Sequence, residues 1–480
     1  MQPPARLRQI ALWTRRPFHR AVWRLVLSAG MLAVLAILLV RSTAENPHTN
    51  LIESRKALLA FKPPPVPDEE NAALEYEKAF KLFVSYGKLT GKESFNDDRI
   101  PQDPVFMLGV PASDLDQPQV QQFLNANIAS YAWLDAAMLK SKINWGHDYM
   151  LPAGLGNDNR YRLLDASRRM SLRALVRARA GDHAGAAHDL KAIWIFASHV
   201  DSDGFLFDKM MGESFRSIAI TCMQLIVLYY TPQRAEDIET YRDSFGPLPD
   251  PRASARQVAL QELANTTYII DWFAETDEQT LHRMMSIPLF GADPIASRLP
   301  YAMVYGSDRK ALIETNSEAL ECAKRDELAP DDQELWRKHQ HGPVVFAKLY
   351  SVNSGIRRIQ LQLLKEADTL QCMKMALIEL AFRARNGKER FTLDDRGTLV
   401  LKGTADFSTG RPLAICVDTQ ELVISARQKV KYPAGTIRVY SFGMNGEDDY
   451  GQNSWSIGHA GKRDGDDPCF ILPPLKAKQP

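Results

Sequence analysis

The residues with the clearest potential for chemistry lie in two acidic, glycine-containing stretches near the C-terminus. The first follows a strand-like segment, and the second precedes another one. Their candidate ligands are Asn445, Asp448, Asp449, Asp464 and Asp466. Carboxylate and amide oxygens are the ligands that a hard cation such as Ca²⁺ prefers. The pattern predicts a calcium site, and the alternative interpretation is a pair of solvated turns.

Other motifs in the chain are incomplete. Residues Gly87 to Glu93 imitate a phosphate loop, but Glu93 stands where a serine or threonine is needed for magnesium. His339 and His341 are two residues apart, so they face apart on a helix, and we expect a solvated face there. Asp201 to Gly204 lacks the later ligands of a calcium loop and is expected to end a helix. No residue set points to catalysis, so enzymatic activity stays open, with a non-enzymatic role favoured.

The elements that would position these residues are mostly helices. Apolar residues recur with helical spacing through most of the middle of the chain. The expected helices are 119–140, 161–180, 184–199, 210–230, 252–274, 311–325, 333–350 and 356–385. Gly181 and Asp182 form the turn of the clearest helical hairpin. The segment 218–230 is apolar, but it is too short to span a bilayer and is expected to be a core helix.

The spacing of apolar residues changes from helical to strand-like at Asn386 and Gly387, after which short strand-like runs begin. These runs are 398–402, 412–417, 421–426, 436–442 and 469–472. Alternating apolar residues and intervening turn residues favour a small antiparallel sheet. The predicted fold class is therefore mainly α, a helical bundle or irregular helical array with a small C-terminal α+β module.

The C-terminal segment resembles the globular module of type II secretion major pseudopilins over roughly residues 360–475. The resemblance rests on a long helix, the Asn386-Gly387 break, the stretch Gly410 to Leu413, and the stretch Tyr440 to Asp449. In that family the corresponding glycine-rich loop holds calcium. The resemblance implies Asn445 as a ligand in the first loop and Asp464 or Asp466 in the second. The anchor of this chain lies hundreds of residues from the module, and the family's leader signature is absent.

A membrane anchor is predicted near the N-terminus. Leu25 to Val40 carries no charge, and Trp23 and Arg24 suit the headgroup region at one end. The first 44 residues contain no Asp or Glu and seven arginines, six of them before the span, which predicts a cytoplasmic N-terminus. Two alternatives stay open. Ser42 to Ala44 suits a signal-peptidase site, and the arginine-rich start is typical of a mitochondrial presequence.

These features divide the chain into six predicted segments. They are a cytoplasmic basic tail (1–22), a transmembrane helix (23–41), a linker with a proline-rich spacer (42–67), a helical extracytoplasmic domain (68–355), the pseudopilin-like helix and sheet (356–475) and a disordered tail (476–480). Asp68 is the expected N-cap of the first helix after the spacer. The prolines between Lys62 and Asp68 favour a stiff, extended spacer.

Charge and cysteine usage narrow the classes of partner. The formal net charge is +1, so nothing in the overall balance attracts nucleic acid. Cys222, Cys322 and Cys372 lie in helical segments and are expected in the core. Cys416 and Cys469 lie in strand-like segments and are the two that an oxidising compartment would allow to pair.

The whole chain also resembles a group of uncharacterised single-pass proteins of planctomycete-type bacteria. The resemblance rests on the stretch Val66 to Ala73, the helical middle and the C-terminal ending. It implies a protein of the bacterial inner membrane with its bulk outside the cytoplasm. We predict an envelope scaffold or protein-interaction protein with membrane lipid and envelope proteins as partners. The alternatives are a calcium-stabilised component of a secretion or surface-assembly system and an envelope hydrolase with a dispersed site.

Overall fold

The fold is known from a computed structural model. It describes residues 46–84, 118–146, 159–202, 205–247, 250–276, 305–330, 332–339, 356–387, 392–393, 399–400, 404–417, 422–423, 431–432, 435–443 and 468–474. The predicted basic tail, transmembrane helix and C-terminal tail lie outside these residues, as does the cleavage site predicted at Ser42 to Ala44.

Helices make up most of the described chain, which confirms the mainly α fold class. They are α1 Pro47–Leu59, α2 Ala72–Leu82, α3 Pro118–Ala126, α4 Ile128–Met138, α5 Asn159–Arg179, α6 His183–Asp201, α7 Leu206–Tyr229, α8 Ala235–Ser244, α9 Pro251–Glu275, α10 Tyr305–Lys324, α11 Asp332–His339 and α12 Ile356–Asn386. The helix expected over 119–140 is two helices, because Asn127 interrupts it.

The strands form a small antiparallel sheet, as predicted. They are β1 Thr392–Leu393, β2 Leu399–Val400, β3 Ala414–Val417, β4 Leu422–Val423, β5 Lys431–Tyr432, β6 Ile437–Tyr440 and β7 Cys469–Leu472. Five of them lie in the order β1-β2-β3-β6-β7, and β4 pairs with β5 alone. In register, Ala414 lies opposite Tyr440, and Tyr440 lies opposite Cys469.

The helix ends show where local chemistry was predicted well and where it was not. Gly181 has a φ of +82° at the predicted hairpin turn, and the Asp182 carboxylate caps α6 by accepting the Gly185 N–H at 2.9 Å. The prediction of Asp68 as a cap is wrong. Asp68 begins a 3₁₀ turn, and the cap of α2 is Asn71, whose Oδ1 accepts the N–H of Ala73 at 3.1 Å.

The chain forms two compact units, each built from separated segments. The first comprises Met1–Leu58, Leu263–Ser317 and Asp331–Asn353, and the second Leu59–Glu262, Glu318–Pro330 and Ser354–Pro480. In the described part of the first unit, the buried carboxylate of Asp271 accepts hydrogen bonds from Tyr305 at 2.7 Å and Arg309 at 2.8 Å. Asn50 donates to the Tyr305 hydroxyl, which ties α1 to α10.

In the second unit the helices and the sheet share one core. The apolar cluster that contains Phe196 of α6 and Phe215 of α7 also contains Ile415, Val439 and Phe470 of the sheet. Burial of this common apolar surface is the main force holding sheet and helices together. The described residues between 356 and 474 are therefore packed as part of the unit that contains most of the helices.

One described helix, α7, is long and apolar enough to cross a membrane. It has 24 residues, which is longer than the 13 of the segment expected from the sequence, and 78% of its most apolar window is buried inside the protein. It carries Arg216 in a buried ion pair. These contacts are those of a core helix, as predicted for this segment.

The cysteines of the described chain are all free thiols. Cys222, Cys322 and Cys372 are buried, which confirms their predicted core role. Cys416 on β3 and Cys469 on β7 do not pair, because β6 lies between their strands. Two strand spacings amount to about 10 Å, beyond the reach of a disulfide.

Candidate functional site

The predicted calcium ligands Asn445, Asp448, Asp449, Asp464 and Asp466 lie outside the described residues. What the structure describes is the two ends of the segment that carries them. Gly443 follows β6, and Pro468 precedes β7, its antiparallel neighbour. The Ser441 N–H donates to the Pro468 carbonyl at 3.0 Å, which closes the base of this segment.

A pair of buried carboxylates stands beside that base. Asp368 of α12 accepts the N–H of Phe407 at 2.5 Å, and Asp406 accepts the N–H of Thr409 at 2.7 Å. The Ser441 hydroxyl lies 3.0 Å from Asp406 and 3.3 Å from Asp368. Burial raises the pKa of Asp368 to about 6. These contacts fasten the loop before β3 to α12, which is a structural role that the sequence motifs did not reveal.

A second buried network joins α6, α7 and α12. The guanidinium of Arg216 pairs with Glu366 and with Asp201, which lies 2.5 Å away. Gly212 makes room for the Asp201 carboxylate, since a Cβ at position 212 would lie 2.1 Å from Asp201 Oδ1. Asp201 ends α6 as predicted. The adjoining cavity, lined in part by Lys209, has a volume of about 10 Å³, which is room for one water molecule and none for a substrate.

Glu213, one turn before Arg216, makes this region sensitive to pH. Burial raises the pKa of Glu213 to about 8, and the nearby Glu366 carboxylate adds to the rise. A carboxyl whose folded pKa lies above its unfolded value of 4.5 stabilises the fold most below pH 4.5 and loses that effect as the pH rises through 8.

We therefore expect Glu213→Gln to flatten the fall in stability between pH 5 and 9. The difference in unfolding free energy between Glu213→Gln and the wild type should grow by about 1–3 kcal/mol across that range. Each pKa unit corresponds to about 1.4 kcal/mol, and the expected difference is reduced because solvent reaches part of the Glu213 side chain. Urea unfolding at several pH values measures it. Parallel curves for the variant and the wild type would rule out Glu213 as the group responsible.

The histidines serve as local contacts. His339 is 14% exposed and lies 3.5 Å from Glu314, so the prediction of a solvated face is wrong for this residue, while His341 lies outside the described chain. His199 is buried and bonded at both ring nitrogens, to Tyr76 at 2.6 Å and to the Lys140 carbonyl at 3.0 Å. Burial lowers the pKa of His199 to about 4, so it is neutral at physiological pH.

The surface feature that stands out is the outward face of α4. Its inward residues pack against α2, yet its outward residues are also apolar: Ile128 is 63% exposed and Trp133 36%. Leu139, at the C-terminal end, is 86% exposed. Asp135 is the single charged residue of the helix. A helix that is apolar all round is normally buried, so this face (Ile128, Ala132, Trp133 and Leu139, here the α4 face) is suited to a protein partner.

A groove of about 380 Å³ continues from the α4 face towards α5. It is lined by Gln121, Leu124 and Asn125 of α3, Ile128, Tyr131, Ala132 and Asp135 of α4, and Arg173, Val176 and Arg177 of α5. Ile128 and Ala132 belong to both the α4 face and this α4–α5 groove. Apolar and ionic groups are therefore presented side by side on one continuous surface.

The cationic wall of the groove is fixed from behind by a buried aspartate. Asp189 of α6 is fully buried and accepts hydrogen bonds from Arg173, the shortest at 2.5 Å, and from Arg177 at 2.9 Å. Asp135, on the other wall, lies 3.0 Å from His188, and this contact raises the pKa of His188. Arg173 is also held from within the groove, since its Nη2 lies 3.7 Å from Asp135, and the Nε of Arg177 lies 3.8 Å from Asp182.

A larger cleft of about 510 Å³ lies between the start of α9 and the loop before β3. Two of its charged residues, Arg256 and Asp326, pair with each other at 2.5 Å. Asp250 is engaged with the first turn of α9 through the Arg252 N–H. Phe407 is its exposed apolar residue. This cleft lacks the adjoining apolar helix face that distinguishes the α4–α5 groove.

Sequence reasoning missed this surface because it searched for motifs of polar residues. Its signal was present in α4, whose residues are apolar on both faces. In the described residues no three His, Cys, Asp or Glu side chains come close enough to hold a metal ion together. Comparison with protein-family models, curated proteins and solved structures finds no match for the chain.

Proposed function

We propose that this protein is a membrane-anchored scaffold of the bacterial envelope that binds another envelope protein through the α4 face. The N-terminal segment 23–41 would anchor it in the inner membrane, with the bulk of the chain outside the cytoplasm. The observation that carries the proposal is the exposed apolar surface of α4. Burying Ile128, Trp133 and Leu139 against a partner removes that surface from water.

The occupant that fits this face best is a helix with an apolar stripe. The face runs along an 11-residue helix and the residue that follows it, and the small side chain of Ala132 permits close approach of a second helix. An 11-residue contact is small compared with the roughly 800 Å² per partner of a stable interface, so the adjoining groove must contribute. This favours a helix that lies across both the α4 face and the α4–α5 groove, the helix-in-groove mode of recognition.

Leu139→Asp should weaken capture of the partner by roughly 5–30-fold, because it places a charge in an apolar contact at a cost of about 1–2 kcal/mol. The test is quantitative mass spectrometry of proteins captured from envelope extract by the detergent-solubilised full chain. Leu260→Asp is the matched control, since Leu260 is an exposed leucine on α9. A partner retained by the control and lost from Leu139→Asp supports the proposal. Equal capture by all three proteins would refute it.

A calcium-stabilised structural role is the second candidate. It is favoured by the hydrogen bond between Ser441 and Pro468, which draws together the ends of the segment carrying Asn445 and Asp464. If this role holds, calcium raises the melting temperature of the full chain and EDTA lowers it, and Asp464→Asn combined with Asp466→Asn removes the difference. Identical melting curves in calcium and EDTA would eliminate this candidate.

A further inference from the structure

The α4–α5 groove has a polar feature that its apolar lining does not explain. Tyr131 is 2% exposed, and its hydroxyl has no hydrogen-bond partner in the described part of the chain. Burial raises the pKa of Tyr131, so the hydroxyl stays protonated and is a donor. A buried donor without a partner costs about 1–3 kcal/mol. An orphaned donor in the lining of a groove points to an acceptor supplied by a ligand.

Two arginine side chains of α5 also line the α4–α5 groove. Arg173 lies over the Tyr131 ring, 4.1 Å from its centroid, and Arg177 follows one turn later on α5. Arg177 bonds through Nη1 to Asp189 and to the Gly185 carbonyl, and its side chain is 33% exposed. A guanidinium has five N–H donors in a planar fork, which leaves donors on Arg177 for a further acceptor.

The spare N–H donors of the lining favour an anionic acceptor. Arg173 and Arg177 line the groove, and Asp135 is the one acidic residue that does. Asp189 lies behind the arginines, fully buried, while Asp135 lies 3.7 Å from Arg173 and Asp182 lies 3.8 Å from Arg177. These carboxylates offset the guanidinium charges, so the feature available to an acceptor is the set of spare N–H donors on the partly exposed Arg177. Leu124 and Val176 form an apolar lining beside these donors. The groove therefore combines preorganised donors with apolar contact.

We propose that the α4–α5 groove recognises an aspartate or glutamate side chain that sits next to an apolar residue on the partner's helix. Arg177 holds the carboxylate, with Arg173 beside it, and the Tyr131 hydroxyl donates to the carboxylate or to the adjoining backbone. The apolar residue packs on Leu124 and Val176. This inference rests on the proposed function and names the chemistry of the partner segment.

The test is selection from a phage-displayed library of amphipathic helical peptides, using the detergent-solubilised full chain as bait. The expected result is binders that carry an acidic residue at one fixed position, at least about tenfold enriched over the library. In Arg177→Gln that enrichment should disappear. In Tyr131→Phe, which is isosteric and removes only an unpartnered hydroxyl, the enrichment should fall while the melting temperature stays the same or rises.

A parallel selection with the Leu139→Asp protein as bait distinguishes the carboxylate inference from the proposal that a partner docks on the α4 face. Binders that lack an acidic residue but are lost with Leu139→Asp overturn the carboxylate inference and leave the docking proposal standing. Binders that do not respond to Leu139→Asp, or no binders at all, count against both. An acidic preference that persists unchanged in Arg177→Gln overturns the inference, because another group must then hold the carboxylate.

Discussion

Replacing Arg216 with methionine is expected to lower the free energy of unfolding by about 3–5 kcal/mol, the usual cost of leaving buried charges without their partner. Arg216 is 2% exposed and pairs with both Asp201 and Glu366, which lie on different helices. Without it, two carboxylates remain in a buried site and must take up protons or draw in water. Domains are stable by only about 5–15 kcal/mol, so this loss is a large fraction of the total.

Urea unfolding of the full chain, followed by circular dichroism, measures this effect. The informative control is a triple variant in which Asp201 and Glu366 are also replaced by apolar residues. Apolar replacement of a whole buried ion network is often neutral or stabilising, so the triple variant should recover much of the lost stability. A loss below about 1 kcal/mol for Arg216→Met alone would mean that water solvates the carboxylates of Asp201 and Glu366.

Gln224→Leu should cost about 2–5 kcal/mol, because it leaves two buried backbone groups without partners at about 1–3 kcal/mol each. The Gln224 side chain is fully buried on α7 and bonds to both backbone groups of Ile471 on β7, donating to the carbonyl at 2.7 Å and accepting the N–H at 2.7 Å. This pair of bonds ties the sheet to the helices. The variant should therefore unfold at lower urea concentration as one cooperative unit.

The matched control for this change is Gln233→Leu. Gln233 is exposed and bonds to the nearby Thr231 carbonyl, so its replacement should change the unfolding free energy by less than about 0.5 kcal/mol. A second transition in Gln224→Leu, with the sheet lost before the helices, would contradict a shared core. Equal effects of the two replacements would show that the Ile471 bonds contribute little.

The fold class was predictable because its signals are local. Helical spacing identified α5 and α6, and Gly181 with Asp182 identified the turn between them. The last strand, Cys469–Leu472, has the predicted bounds. Each of these signals lies within a few residues, where periodicity and turn preferences act directly.

Contacts between distant residues were not predictable in the same way. Arg216 and Glu366 are 150 positions apart, and Gln224 and Ile471 are 247 apart. Nothing near Gln224 in the sequence indicates that it bonds a strand. Likewise, the sequence predicts a separate module over residues 356–475, whereas the described residues Ile415, Val439 and Phe470 lie in the same core as α6 and α7. Packing between segments that are separated in sequence decides such features.

The α4 face was partly predictable. The sequence shows that the helix is apolar on all sides, but it does not show which of those side chains are exposed. Apolar residues around the whole circumference of Ile128–Met138 are typical of a buried helix. The high exposure of Leu139 and Ile128 in such a helix supports a binding surface. The groove itself required three helices to be placed together.

The most direct test of docking through the α4 face is site-specific photo-cross-linking in living cells. A photoreactive amino acid is placed at position 139 or 128, with position 260 as the exposed control. We predict one defined adduct with another envelope protein from positions 139 and 128, and none from 260. An adduct with a second copy of this chain, identical adducts from all three positions, or none at all would contradict the proposed function.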